Sequence, residues 1–245
     1  MTKVDNIKVK ARIAGFFYVL TTITGMLAIT IGDKLFESGD AAATAANVLA
    51  HDAWVWIGPA INLVSVACYI VVTALLYELF KPVNRSVSLI AAFFSLAGCT
   101  IGAASEVFDL APSLVLAGTA YGGTFGPEQL QALAYTFFRL NGVAFNIAMV
   151  FFGFYCVLIG YLAFRSTFLP RAVGVLMVIA GLCWLTFLSP PLHHALSAYT
   201  GITGLVGEGV FELWLLIMGV NTSKWQSVSA RRHHNPEQPP LSETI

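Results

Sequence analysis

The sequence predicts an all-α membrane protein: a bundle of about six transmembrane helices with short cytoplasmic loops and a small helical outer cap. Three observations carry this prediction. Hydrophobic residues make up 57% of the chain and charged residues only 11%, where soluble domains carry roughly 25% charged residues. Six apolar runs are long enough to cross a bilayer, which takes roughly 20 residues each. Lys and Arg fall almost wholly on one side of those runs. A soluble protein of this size would need a polar skin that these few charges cannot make, whereas a bilayer removes the need.

The runs are residues 13–32, 53–77, 86–105, 140–164, 172–188 and 201–220. The first holds no charge. It is too long for a signal-peptide core and no small-residue cleavage site follows Gly32, so it is expected to remain as a true span. Gly58-Pro59 should bend the second near its start. Pro190-Pro191 closes the fifth. Between the first two runs, Asp40 is placed to cap an Ala-rich helix reaching His51. Gly126-Pro127-Glu128 reads as a helix start, with Pro in the first turn and an acid at the positive dipole end. From Pro127 to Phe164 the only breaker is Asn141-Gly142. Unbroken, that helix would be roughly 57 Å long at 1.5 Å per residue, so it either projects beyond the membrane or bends there.

Orientation follows from the basic residues. Lys3, Lys8, Lys10 and Arg12 precede the first span, Lys81 and Arg85 join the second to the third, Arg165 and Arg171 join the fourth to the fifth, and Lys224, Arg231 and Arg232 follow the sixth. With six spans all four sets share one side, which the positive-inside rule makes cytoplasmic. Lys34 and Arg139 alone fall opposite. The chain thus divides into a cytoplasmic segment 1–12, a transmembrane domain 13–220 and a polar cytoplasmic tail 221–245, with Pro236, Pro239 and Pro240 marking the tail as disordered. The expected location is the cytoplasmic membrane, the bacterial inner membrane, with the lipid bilayer as partner.

Several function classes are excluded or unsupported. Formal net charge is zero, so nucleic acid is not an expected partner. Cys68, Cys99, Cys156 and Cys183 sit singly in apolar runs and read as small buried hydrophobes. No phosphate-binding glycine loop, nucleophile elbow or H-E-x-x-H occurs, and no cofactor is expected. Trp54, Trp56, Tyr121, Tyr199 and Trp225 fit interfacial aromatic belts. Tyr77, Phe80, Lys81 and Pro82 echo Tyr161, Phe164, Arg165 and Pro170, a pattern that shared interfacial chemistry explains as well as an internal repeat.

Chemistry is expected where polar groups enter the spans. Glu208 and Glu212 lie four residues apart in the last run, on one helical face. Glu212 falls close to mid-bilayer, where a charge costs roughly 2.5–3.5 kcal/mol on insertion scales. Gly204, Gly207 and Gly209 let another helix approach them. Arg139, Glu106 and Asn146 fall at the same membrane side from other helices and complete the candidate ion- or ligand-binding set. Arg139 is expected to pair with Glu106 or Glu208, and Glu212 to face the bundle interior. A clamp from the two acids to Arg139, Asn141 or Asn146 explains them equally well. His51, His193 and His194 also fall on the outer side, but they lack metalloenzyme spacing and no metal is assigned to them. The reading is a membrane protein with a polar intramembrane site that binds or passes an ion, a proton or a small ligand. The alternatives are a membrane-embedded enzyme, metal-dependent or not, open to the outer face, and a non-catalytic assembly or stress factor.

Leu-Tyr-Glu-Leu-Phe-Lys-Pro-Val-Asn-Arg-Ser at 76–86, Phe-Phe-Gly-Phe-Tyr at 151–155, Gly-Tyr-Leu at 160–162, Arg-Ser-Thr-Phe-Leu-Pro-Arg at 165–171, Gly207-Glu208 and Leu-Trp-Leu-Leu-Ile-Met-Gly at 213–219 occur in that order. Together they resemble the DUF4386 family of bacterial multi-pass membrane proteins, over most of the chain apart from both tails. Members often carry an acid and an arginine in the stretch corresponding to residues 51–57, and an arginine near Ser95; this chain has His51-Asp52 and no arginine at either place. The resemblance implies membrane location and fold, and no known activity.

Overall fold

A computed structural model describes residues 3–117 and 124–234. Eight helices follow one another: α1 (Lys3–Leu35), α2 (Ala41–Ala50), α3 (Asp52–Phe80), α4 (Arg85–Leu116), α5 (Pro127–Arg165), α6 (Arg171–Leu185), α7 (Pro190–Ile217) and α8 (Thr222–His234), with a 3-10 turn at Thr186–Leu188 after α6. No strand occurs among the described residues. Six of these helical stretches are long and apolar enough to cross a membrane. Large apolar side chains such as Phe16, Ile23, Phe93, Leu182 and Ile202 lie exposed along them, as a lipid-facing surface requires. The chain is a multi-pass α-helical membrane protein.

The spanning helices pack as a closed ring. α1 lies on α3, α3 on α4, α4 on α5, α5 on α6, α6 on α7, and α7 returns to α1. Short turns at residues 81–84 and 166–170 make α3–α4 and α5–α6 antiparallel neighbours. Asn84 caps α4 by accepting from Val87 N at 3.0 Å. Glycines set the closest approaches. A Cβ on Gly160 of α5 would lie 2.7 Å from Gly174 O of α6, and one on Gly181 of α6 would lie 2.7 Å from Gly153 O of α5. Both pairs are separated by two turns on their helices, so α5 and α6 touch backbone to backbone along one seam.

The basic segments share one end of the ring. Asn221 N donates to Phe168 O at 3.1 Å, Trp225 Nε1 donates to Leu79 O at 2.9 Å, and Arg12 Nη2 donates to Ile217 O at 3.0 Å. These bonds tie α8, both short turns and the two terminal spans together. Where composition marks the polar tail 221–245 as disordered, its described part is helical from Thr222 through His234. Asn221 supplies the start, accepting from Lys224 N at 3.1 Å. Residues 235–245 lie outside the described residues.

At the other end, α2 forms the small cap. Asp40 accepts from Ala43 N at 2.8 Å, so the expected N-cap is present. α5 runs unbroken through Asn141-Gly142 and therefore projects past the hydrocarbon. Its projecting part is held by Tyr135, which stacks on Phe36 at 5.1 Å and accepts from Gly39 N at 2.9 Å. α3 likewise continues through Pro59. Of the expected aromatic anchors, Trp56 and Tyr199 are exposed, Trp54 packs under Lys34 at 4.8 Å, and Tyr121 lies outside the described residues.

Candidate functional site

Buried aromatic and aliphatic groups fill the ring, and a layer of polar side chains crosses that filling near its middle. Tyr18, Tyr69, Ser95, Tyr155 and Glu208 each stand roughly 14–17 Å from the basic end of their spans at 1.5 Å per residue, about half the thickness of a hydrocarbon core. With Trp184 of α6, every spanning helix contributes one of them.

Glu208 is the hub. Tyr18 Oη donates to its Oε2 at 2.6 Å, and Trp184 Nε1 donates to its Oε1. The Cys156 thiol stands beside the same carboxylate. Tyr69 Oη lies 3.2 Å from Tyr18 Oη, with the two rings edge to face at 5.3 Å. Tyr155 packs edge to face on Tyr69 at 5.8 Å. Its hydroxyl is buried, with the residue 1% exposed, and makes no well-formed hydrogen bond. Thr73 is beside it, in contact with Ser95 Oγ at 2.6 Å and donating to Tyr69 O at 2.8 Å.

Glu212 meets different neighbours. Four residues turn a helix by about 400°, so Glu208 and Glu212 differ by some 40° in azimuth. Glu208 points among α1, α5 and α6, while Glu212 turns toward α1 and accepts from Thr22 Oγ1 at 3.0 Å. Glu212 is only 5% exposed, so it faces the protein interior as expected. Neither acid forms an ion pair with a described residue.

The other candidates are not brought to these two. Glu106 of α4 is 4% exposed and accepts from Asn62 Nδ2 of α3, forming a separate polar contact. Asn141 Nδ2 donates to Ser105 O at 3.2 Å close to it. Arg139 is exposed and makes no ion pair among the described residues. The expected pairing with Glu106 or Glu208 does not form: at 1.5 Å per residue Arg139 stands roughly 39 Å from the basic end of α5, about 25 Å beyond the level of Glu208, and its side chain is exposed. Asn146 is also exposed; with Phe187, His193, His194 and Ser197 it lines a surface pocket of about 260 Å³. A second pocket of about 390 Å³ lies under the cap, between α2, α4 and the start of α5. Neither is lined by Glu208 or Glu212. No group of three or more His, Cys, Asp or Glu able to hold a metal occurs among the described residues.

Sequence reasoning found the two acids but missed Tyr18, Tyr69, Tyr155, Trp184, Cys156 and Thr22. One signal pointed to three of them. Tyrosine favours the membrane interface, and Tyr18, Tyr69 and Tyr155 each stand mid-span, where a buried hydroxyl needs a partner.

Fold and site together define a multi-pass helical membrane protein with a polar layer inside its bundle. The chain belongs to the family described as Domain of unknown function (DUF4386), whose model matches residues 13–219. It is similar to an uncharacterized protein of Archaeoglobus fulgidus, 23% identical over 158 residues that cover 63% of this chain and 79% of that protein. No solved structure matches the chain.

Proposed function

We propose that this protein binds a proton or small cation at Glu208 and Glu212, as an integral protein of the cytoplasmic membrane with both termini cytoplasmic. One observation carries the reading: two carboxyl groups sit inside the bundle, Glu208 near mid-membrane and Glu212 one turn nearer the basic end, with only neutral hydrogen-bond donors bonded to them. An ionised carboxylate at that depth costs roughly 2.5–3.5 kcal/mol, and the neighbouring one adds repulsion. A bound proton or cation removes both costs. Because Tyr18, Trp184 and Cys156 close around Glu208, a proton, which needs no cavity, suits this conformation best. The basic residues gathered at one end support the orientation.

The test is labelling of the purified protein in lipid vesicles with a hydrophobic carbodiimide, which attacks protonated carboxyl groups in apolar surroundings. Mass spectrometry should find the adduct on Glu208 or Glu212, less of it as pH rises, and none in the E208Q/E212Q double variant. Protection by Na⁺ or K⁺ at constant pH would identify a cation instead of a proton. No adduct on either residue, at any pH where the protein stays folded, would sink the reading. The dense packing around Glu208 favours one second reading: a non-catalytic membrane factor in which the polar layer is a clamp. Unlabelled acids together with an unaltered E208Q phenotype would be its signature.

A further inference from the structure

We propose that the hydroxyls of Tyr155, Tyr69 and Tyr18 form a relay that delivers a proton to Glu208; this deepens the reading above and rests on it. The direction of the hydrogen bonds makes the case. Trp184 Nε1 can only donate, so its bond to Oε1 commits that oxygen as an acceptor. Oε2 instead faces Tyr18, whose hydroxyl both gives and receives. With its own hydrogen aimed at Oε2 at 2.6 Å, Tyr18 must accept from Tyr69 across the 3.2 Å contact between them. The two hydroxyls therefore point one way, toward the carboxylate.

Transfer along this chain balances simply. Tyr18 gives its proton to Oε2, Tyr69 gives its proton to Tyr18, and Tyr155 restores Tyr69. One proton moves net to Glu208, and the proton that restores Tyr155 comes from the acidified aqueous phase, handed on by the Thr73 and Ser95 hydroxyls, so that every hydroxyl ends neutral. In this conformation no hydrogen bond joins the buried Tyr155 hydroxyl to Tyr69, whose ring it meets edge to face at 5.8 Å, so turning of the Tyr155 hydroxyl toward Tyr69 is the step that closes the chain. Thr73, one turn nearer the basic end than Tyr69, lies beyond that hydroxyl, in contact with Ser95 of the same layer. The ionisable groups facing Glu208 are Tyr18 of α1, Tyr69 of α3, Tyr155 and Cys156 of α5, and Glu212 of α7, while α6 presents Trp184. α4 contributes Cys99, which faces Tyr155. No Lys, Arg or His is among them, so no fixed cation competes for the carboxylate.

The experiment is a rapid pH drop on the full-length protein in lipid vesicles, following the infrared carbonyl stretch of a protonated carboxylic acid. Loss of the band in E208Q assigns it to Glu208. Tyr155→Phe removes only a hydroxyl without a well-formed bond, so the fold should hold; Tyr69→Phe keeps the ring. Both should retain the band's amplitude while slowing its rise on the order of tenfold or more. Tyr161→Phe, on the exposed face of α5, should rise at the wild-type rate. A Glu208 band that rises equally fast in wild type, Y69F and Y155F would overturn the relay and leave the binding site standing. A wild-type spectrum with no band sensitive to E208Q would overturn the site, and the relay with it.

Discussion

Gly160→Ala tests whether backbone contact along the α5–α6 seam closes the ring. The added Cβ would lie 2.7 Å from Gly174 O, from Val178 N and from Val178 Cγ2. Two of those atoms are backbone and cannot step aside. The methyl is accommodated only if α5 and α6 separate by several tenths of an ångström, opening a seam otherwise closed at Gly153 and Gly181. Overpacking of this kind costs about 1–3 kcal/mol. At roughly 2–4 °C per kcal/mol for a chain of this size, the thermal midpoint in detergent should fall by about 2–12 °C. Gly142→Ala is the internal control, on the same helix, with nothing within 4 Å of its Cβ. It should raise stability by about 0.5–1 kcal/mol through backbone entropy alone. A G160A midpoint equal to or above that of G142A would refute the claim that backbone contact at this seam closes the ring.

Two further outcomes follow from the basic end. Trp225→Phe keeps an aromatic ring but removes the donor to Leu79 O and part of the indole's packing, and should lower stability by at least about 0.5–1.5 kcal/mol, read as a shift in the detergent unfolding midpoint. For topology, Ser86→Cys is the better probe of the α3–α4 turn than a change at Asn84, because Ser86 is exposed and Asn84 is the cap of α4. In intact cells it should resist a membrane-impermeant thiol reagent and react after permeabilisation; ready labelling in intact cells would reverse the assigned orientation.

The spans were legible because their signal is one-dimensional: a run of apolar residues of sufficient length is a helix across the bilayer, whatever its neighbours are. Asp40 and Gly126-Pro127 were legible for the same reason, since a cap acts within one turn. Glu208 and Glu212 stood out because an acid in an apolar run is conspicuous. Their partners were hidden, because depth can be read along a helix but azimuth between helices cannot. Arg139 falls on the outer side, well beyond the level of Glu208, and is exposed, while Tyr18 comes from the far end of the sequence to reach Glu208. Trp184 carried no signal of its own, since a tryptophan in an apolar run reads as an anchor until its N–H is seen to meet a carboxylate. The tail misled for a different reason. Its composition is that of a disordered segment; the Asn221 cap is a local signal, but the Trp225 anchor on Leu79 O is tertiary and could not be read from the sequence.

The clamp and the proton site make different demands on Glu208, and two substitutions separate them. In Glu208→Gln the amide oxygen can take the position of Oε1 and still accept from Trp184, which leaves the NH₂ facing Tyr18. That looks like a donor meeting a donor, but a hydroxyl can turn. Tyr18 can accept from the amide and donate to Tyr69 across their 3.2 Å contact, reversing the chain, with the Tyr69 hydrogen then turning to the neighbouring Tyr155 hydroxyl, which makes no other well-formed bond. Glu208→Gln should therefore unfold close to the wild-type midpoint. Glu208→Leu fits the apolar surroundings better but leaves the buried indole N–H of Trp184 with no acceptor. An unsatisfied buried donor costs about 1–3 kcal/mol, so E208L should be the less stable of the two despite its hydrophobicity. If the layer is only a clamp, activity should track stability, with E208Q intact and E208L impaired. If Glu208 carries a proton, E208Q should be as inactive as E208L while remaining as stable as wild type. An E208L variant more stable than E208Q would show that Trp184 does not depend on this carboxylate, and the hydrogen-bond pattern on which the relay's direction is built would fall.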